Sequence, residues 1–383
     1  MLHQGMSRGR PQKGRAQANK GIHPLSPLTF RSQKFQPLPS PLGPPPYHFS
    51  LETALPGIGR KADSQGHIVF HACGDTGGIK HPDYQNAVAA GMKEDLNRTK
   101  GRAPSFFYHL GDVVYYNGQI SDYYAQFYEP YDHYDAPIIA IPGNHDGDPA
   151  DDTQTSLDGF VRYFMSPTPE VHPESADAPR VTMSLPNVYF TLDAPFVTII
   201  GMYTNVPEHG SIDSIQQQWL TNEFATAAKD KALIVALHHP IYSFDDHHSG
   251  SARMADVVQH AINDSRRAPN MVLNAHVHNY QRIEKTLFDG AKATPFFVIG
   301  HGGYFHMHGM HSDPGTVDPE TGATLIAGEH NLHGYVTLTV DSKNISGTMT
   351  TVDQHSGDIV ADVDTFKYPA TAVTLPKDVV VSL

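Results

Sequence analysis

Five short apolar runs, each cut off by a polar residue able to bind metal, constrain the fold of this chain more than any other feature. They read HIVFHAC before Gly74 and Asp75, FFYHL before Gly111 and Asp112, PIIAI before Pro142, Gly143 and Asn144, ALIVAL before His238, and MVLN before Ala275, His276, Val277 and His278. Runs of four to seven residues, apolar on both faces, are what the central strands of a covered sheet look like. Helical patterns lie between several of them, so the expected class is α/β, with strands and helices in layers. In such sheets the carboxyl ends of the strands gather loops from separate strands in one place. A lone Asp after a strand is more often a helix N-cap, and a lone His-x-His is ambiguous. Five junctions in order, most with Gly or a small residue beside the polar group, predict a convergent site instead. Carboxylate, amide and imidazole together suit hard or borderline ions such as Mn, Fe or Zn.

A helix is expected over SIQQQWLTNEFATAAKDK, residues 214–231, with Ser214 as its N-cap and Ile215, Trp219, Leu220 and Phe224 near one face. After residue 290 the pattern turns to strands and turns, so a mainly β C-terminal portion is expected to complete one domain over 61–383. Residues 1–60 read differently. The first 50 hold seven basic side chains, no acidic ones and the stretch PLPSPLGPPP, and are expected to form a basic, Pro-rich arm, extended over the domain or disordered. A nucleic-acid tail is the alternative reading, but without interleaved aromatics no nucleic-acid partner is expected.

Composition removes other classes. The single Cys, Cys73, excludes an intrachain disulfide and thiolate-ligated zinc-finger or iron–sulfur sites. No apolar run reaches the roughly 18 residues of a membrane helix, so no membrane partner is expected. No apolar h-region follows the basic start, so the expected compartment is the cytoplasm, or outside the cell if the numbering is that of a processed form. The 25 His nearly equal the 27 Lys and Arg, which points to metal or proton chemistry without saying which His matter.

The ordered motifs Gly74-Asp75-Thr76-Gly77, Gly111-Asp112-Val113-Val114-Tyr115, Gly143-Asn144-His145-Asp146, Val235-Ala236-Leu237-His238 and Ala275-His276-Val277-His278 resemble the signature of calcineurin-like metallophosphoesterases, specifically the purple acid phosphatase branch. The resemblance runs from about 67 to 282. It implies a four-layer α-β-β-α sandwich of two mixed β-sheets flanked by helices (the metallophosphatase fold), and a binuclear metal-dependent hydrolase using a metal-bridging hydroxide. It implies one ion held by Asp75, Tyr115 and His278, another by Asn144, His238 and His276, and Asp112 bridging the two. Most of the superfamily carries His where Gly77 stands, whereas the purple branch uses a tyrosinate where Tyr115 stands. Asp75, Asp112 and an ionised Tyr115 bring three negative charges, which two divalent ions and one hydroxide would only neutralise. An Fe(III) in one place leaves a positive charge for an anionic phosphate, so the expected cofactors are Fe(III) and a divalent Fe, Zn or Mn.

The resemblance assigns His145 to transition-state stabilisation or leaving-group protonation. It likens His247 and His248 to paired His that contact substrate phosphate in plant-like members. Asp146 is expected to fix the His145 ring, Arg282 to orient loops, and His71 and Cys73 to be core residues. His239, His301 and the cluster His306, His308 and His311 are expected at the cleft mouth. Ala275 and Gln281 depart from the family pattern, and the N-terminal β-sandwich of plant enzymes is not expected in the stretch before the first strand. The leading function is a phosphomonoesterase acting on small phosphate esters. The alternatives are a phosphodiesterase acting on cyclic nucleotides or glycerophosphodiesters, and a catalytically silent scaffold of the same fold.

Overall fold

The computed structural model describes residues 34–98 and 101–383. The five runs apolar on both faces become parallel strands: His67–Cys73, Phe106–His109 and Ile138–Ala140 in one sheet, Ala232–Ala236 and Met271–Asn274 in another, where Val197–Gly201, outside those runs, also pairs parallel. Every residue of Phe106–His109 and of Ala232–Ala236 is buried, which is why these segments show no polar alternation.

Among the described residues the smaller sheet has six strands, ordered Ile359–Pro369, Asn344–Val352, Gly334–Asp341, His67–Cys73, Phe106–His109 and Ile138–Ala140. The larger has eight, ordered His48–Ser50, Phe190–Ala194, Val197–Gly201, Ala232–Ala236, Met271–Asn274, Thr294–Ile299, Tyr280–Lys285 and Thr324–Glu329. Both sheets are mixed, because the late strands pair antiparallel with the parallel ones. The β-rich C-terminal portion is therefore shared between the sheets. Helix Pro82–Leu96 packs on the Gly334–Asp341 and Asn344–Val352 strands, and the crossover helices Ser214–Thr226 and Ala252–Ser265 pack together beside the larger sheet. The result is a four-layer α-β-β-α sandwich.

Two local expectations need correction. Asp213, not Ser214, caps the helix at Ser214–Thr226: its side chain accepts the Gln216 N–H. The helix stops well before residue 231, and Ile215 is exposed while Trp219, Leu220 and Phe224 are buried. The second concerns the arm expected over 1–60. Residues 1–33 lie outside the described residues. From His48 the chain is integral to the domain, because His48–Ser50 is the edge strand of the larger sheet and helices Leu51–Ala54 and Ile58–Gln65 follow. Phe49, Leu51 and Ile58 are buried there.

Arg282 joins the sheets. From the larger sheet its guanidinium grips Asp364 of the smaller one with both oxygens, Nε to Oδ2 at 2.7 Å and Nη2 to Oδ1 at 2.9 Å, while Nη1 reaches the Tyr368 hydroxyl at 2.8 Å. Because Asp364 is buried, removing the cation would leave an uncompensated charge. Arg282→Met is expected to lower unfolding stability by about 3 kcal/mol, read from denaturant midpoints. A change below about 1 kcal/mol, the range of exposed pairs, would mean the pair locks nothing.

Candidate metal centre

The carboxyl ends of five parallel strands, three from one sheet and two from the other, meet at one edge of the sandwich and carry Asp75, Asp112, Asn144, His238, His276 and His278. All six are buried, as is Tyr115 on the loop after Asp112. Asp75, Asp112 and His276 each hold a left-handed backbone, at φ 55°, 52° and 67°. Non-glycine residues rarely accept that conformation, and such residues cluster at functional sites. At Gly143 a side chain would collide with the Asp112 carboxylate and backbone, so glycine is needed for that strand end to approach.

The donor atoms fall into two groups. In the first, the Tyr115 hydroxyl donates to Asp75 Oδ1 at 3.0 Å and lies 3.4 Å from His278 Nε2, which is 3.6 Å from the same carboxylate oxygen. In the second, Asn144 Oδ1 is faced by His238 Nε2 at 3.1 Å and by His276 Nδ1 at 3.0 Å. Asp112 lies between them, with Oδ2 3.3 Å from His238 Nε2. Asp112, His238 and His276 present donor atoms within 4.8 Å of one another.

Supporting contacts fix the ring orientations. His238 Nδ1 is 2.9 Å from the Leu110 carbonyl and His278 Nδ1 is 3.0 Å from the His306 carbonyl, so on each ring Nε2 is turned to the cluster. The Gln126 amide clamps the Tyr115 backbone, accepting its N–H at 2.9 Å and donating to its carbonyl at 2.7 Å.

Burial pushes the Asp75 carboxyl up to about 6, against the pull of His238 and with Asp112 adding to the rise. Burial, then Asp75 and Asp112, push the Tyr115 phenol well above its ordinary value. Burial also works against ionised Asp112, but His238 and His145 hold its carboxyl low. Beside an Asp112 kept ionised, the buried Asp75 carboxyl and Tyr115 phenol are electrostatically disfavoured as anions until a cation joins them. Inward-facing imidazole nitrogens and an amide oxygen complete a donor set that fits one or two metal ions.

Gly77 explains the place of Tyr115. A Cβ at residue 77 would stand 2.6 Å from Tyr115 Cδ2 and 2.5 Å from Gln126 Oε1, so the phenol ring occupies the space a side chain there would need. Gly77→Ala is expected to cost about 1–3 kcal/mol through overpacking, measured as a lowered denaturant midpoint. Stability equal to the parent's would mean that the ring is not tightly held.

The remaining expected residues are distributed unevenly. The His145 N–H donates to Asp112 Oδ1 at 2.9 Å, and its ring lies 4.5 Å from that of Tyr115. Its Nδ1 is 2.8 Å from the Tyr116 carbonyl. Asp146 does not hold that ring: its carboxylate accepts the N–H groups of Gly143, Val113 and Val114 and so ties two strand ends together. His248 is brought beside the cluster, its ring 4.8 Å from that of His276. His247 is exposed and stacks on His308 at 4.7 Å. His301 is buried beside Tyr280 and is no mouth residue. His239 is buried too, with Nδ1 2.7 Å from Thr204 Oγ1. His71 is a buried core residue bonded to Tyr134 and Asp95.

Sequence reasoning missed Glu208 and Tyr304. Glu208 Oε1 lies 3.1 Å from His248 Nδ1 and 3.6 Å from His276 Nε2. It follows the strand Val197–Gly201, a sixth parallel strand end whose run FVTIIG carries no polar terminator to draw attention. Tyr304 packs its ring 4.3 Å from Tyr115 and 4.4 Å from His278. A cavity of about 430 Å³ elsewhere, lined by residues such as Phe49, Tyr128 and Arg180, contains none of these groups. No helix among the described residues is long and apolar enough to cross a membrane.

Comparison with known proteins bears on the same region. The profile of the calcineurin-like phosphoesterase family matches residues 68–280. Purple acid phosphatase 21 of Arabidopsis thaliana is 28% identical over 178 residues, which is 44% of this chain and 36% of that protein. Tartrate-resistant acid phosphatase type 5 of Rattus norvegicus is 24% identical over 191 residues, 46% of this chain and 57% of that protein. The matches thus span about half or less of these relatives. Among solved structures, a purple acid phosphatase from yellow lupin (Lupinus luteus) seeds superposes with a TM-score of 0.55 at 17% identity, covering 79% of this chain and 53% of that one. GAP50, described as the anchor in the inner membrane complex of Plasmodium, gives 0.55 at 13% identity, covering 80% and 89%. These likenesses show the shared fold.

Proposed function

The chain belongs to the calcineurin-like phosphoesterase family, and from that premise we propose a phosphoric ester hydrolase of the purple acid phosphatase type, working on small phosphate monoesters with two metal ions. One observation carries the choice of branch: the Tyr115 hydroxyl stands between Asp75 and His278, at 3.0 and 3.4 Å, in space kept open by Gly77. Asp75, Tyr115 and His278 would hold an Fe(III), Asn144, His238 and His276 a divalent Fe, Zn or Mn, and Asp112 both. Such a pair supplies Lewis acidity, neutralises phosphoryl charge and lowers the pKa of water towards neutrality.

The chain's own residues orient the ester and move the proton. A carbonyl can only accept, so the contact of His145 Nδ1 with the Tyr116 carbonyl keeps a hydrogen on Nδ1 and assigns proton exchange with the leaving oxygen to Nε2. His248, steadied by Glu208, supplies a donor to the phosphoryl oxygens. The rings of Tyr115, Tyr304 and His278 pack together on one side of the centre. GAP50, named an anchor, has the same fold, so fold alone does not argue for catalysis. The complete donor set does.

The experiment is spectroscopic and kinetic. Protein purified in air is expected to carry iron and a visible absorption band that Tyr115→Phe abolishes. Bound iron without such a band would refute the tyrosinate assignment. An aryl phosphate is expected to be hydrolysed faster than the bis-aryl diester, and the reverse order would make the chain a phosphodiesterase.

A further inference from the structure

A second set of donors lies outside the seven residues above, where the loop after His238 meets the segment after Tyr304. Asp245, His247 and His308 each offer a ligating atom, all within 4.8 Å of one another. An isolated bridge between Asp245 and Met310 ties the two segments together, and the His308 N–H is bonded to the His278 carbonyl at 3.0 Å. Backbone contacts thus hold the two segments that carry the three side chains against each other.

The Asp245 carboxylate is oriented by its own loop. Oδ1 accepts the N–H groups of His247 and His248, both at 2.7 Å, and Oδ2 accepts from Asn279 Nδ2 at 3.1 Å. An ionised carboxylate has about four acceptor positions, so these bonds leave one. His308 Nδ1 stands beside it, 3.4 Å from Oδ2. His308 is 5% exposed, and this nitrogen has no hydrogen-bond partner. Its polar neighbour, that carboxylate oxygen, stands at ion-pair distance without the geometry of a full hydrogen bond, which leaves the nitrogen under-satisfied for so buried a group. His247 stacks on His308 with 20° between the rings and is itself exposed, which gives an ion a way in from solvent.

We propose that Asp245, His247 and His308 bind a further divalent cation of the zinc type at the mouth of the candidate centre. One carboxylate and two imidazoles are a borderline donor set, and three protein ligands leave a position for water or an incoming anion. None of the three belongs to the seven-residue set. Besides the backbone bond to the His278 carbonyl, His308 meets that set through its ring, whose centre lies 4.5 Å from that of His278.

Zinc counting tests this without reference to activity. Holoprotein carrying its tightly held ions is dialysed to equilibrium against micromolar zinc, and bound zinc per chain is measured above that starting content. The parent is expected to take up one further equivalent, which both His247→Ala and His308→Gln lose while keeping the ions already present. No further equivalent in the parent, or full uptake by both variants, would overturn the site. Should His308→Gln fail to fold, His247→Ala decides, because its ring is exposed. A parent with no tightly held ions that still takes up one zinc, lost in His247→Ala, would uphold this site while the binuclear reading fails.

Discussion

Asp112→Asn is expected to remove at least one tightly held metal ion per chain and to lower aryl phosphate turnover about 10³-fold, the upper range for losing a single electrostatic contact in an active site. The residue is 1% exposed, meets His238 through Oδ2 and accepts the His145 N–H through Oδ1. Gly143 leaves no room for it to move. An amide of the same shape keeps the packing and removes the charge proposed to serve both ions, so folding is expected to survive while metal content falls. Elemental analysis alongside turnover reads both effects. Full metal content with turnover within tenfold of the parent would mean that Asp112 bridges nothing.

His145→Ala is expected to behave differently, losing about 10²- to 10⁴-fold in turnover, the usual span for a general acid, with its metal retained. The contact of His145 with Asp112 is made by the backbone N–H, which alanine also has. The Asp112 carboxylate therefore keeps that donor, and only the ring held by the Tyr116 carbonyl is lost. Unchanged turnover would remove His145 from the chemistry. Loss of metal would make its ring a structural support of the centre.

The fold was readable because its central strands are short, apolar on both faces and sharply terminated. Met271–Asn274 and Ala232–Ala236 look like core in the sequence because they are core in the sandwich. His48–Ser50 was hidden: three residues behind a Pro-rich stretch have no periodicity, and only pairing with Phe190–Ala194 makes them a strand. Polar terminators gave away five strand ends, whereas Val197–Gly201 delivers Glu208 several residues downstream, beyond the reach of the pattern. The expected bond between Asp146 and the His145 ring failed because the nearby backbone N–H groups needed an acceptor. His308 looked like one of many mouth imidazoles until folding set it against Asp245, which lies 63 residues away in sequence.

A metal titration of stripped protein, with aryl phosphate hydrolysis as the signal, tests the central claim most directly. Added iron, zinc and manganese, singly and in pairs, are predicted to give little turnover at one equivalent per chain and a steep rise as the second is bound. Absence of hydrolysis with every metal and every pair would contradict a binuclear phosphoesterase.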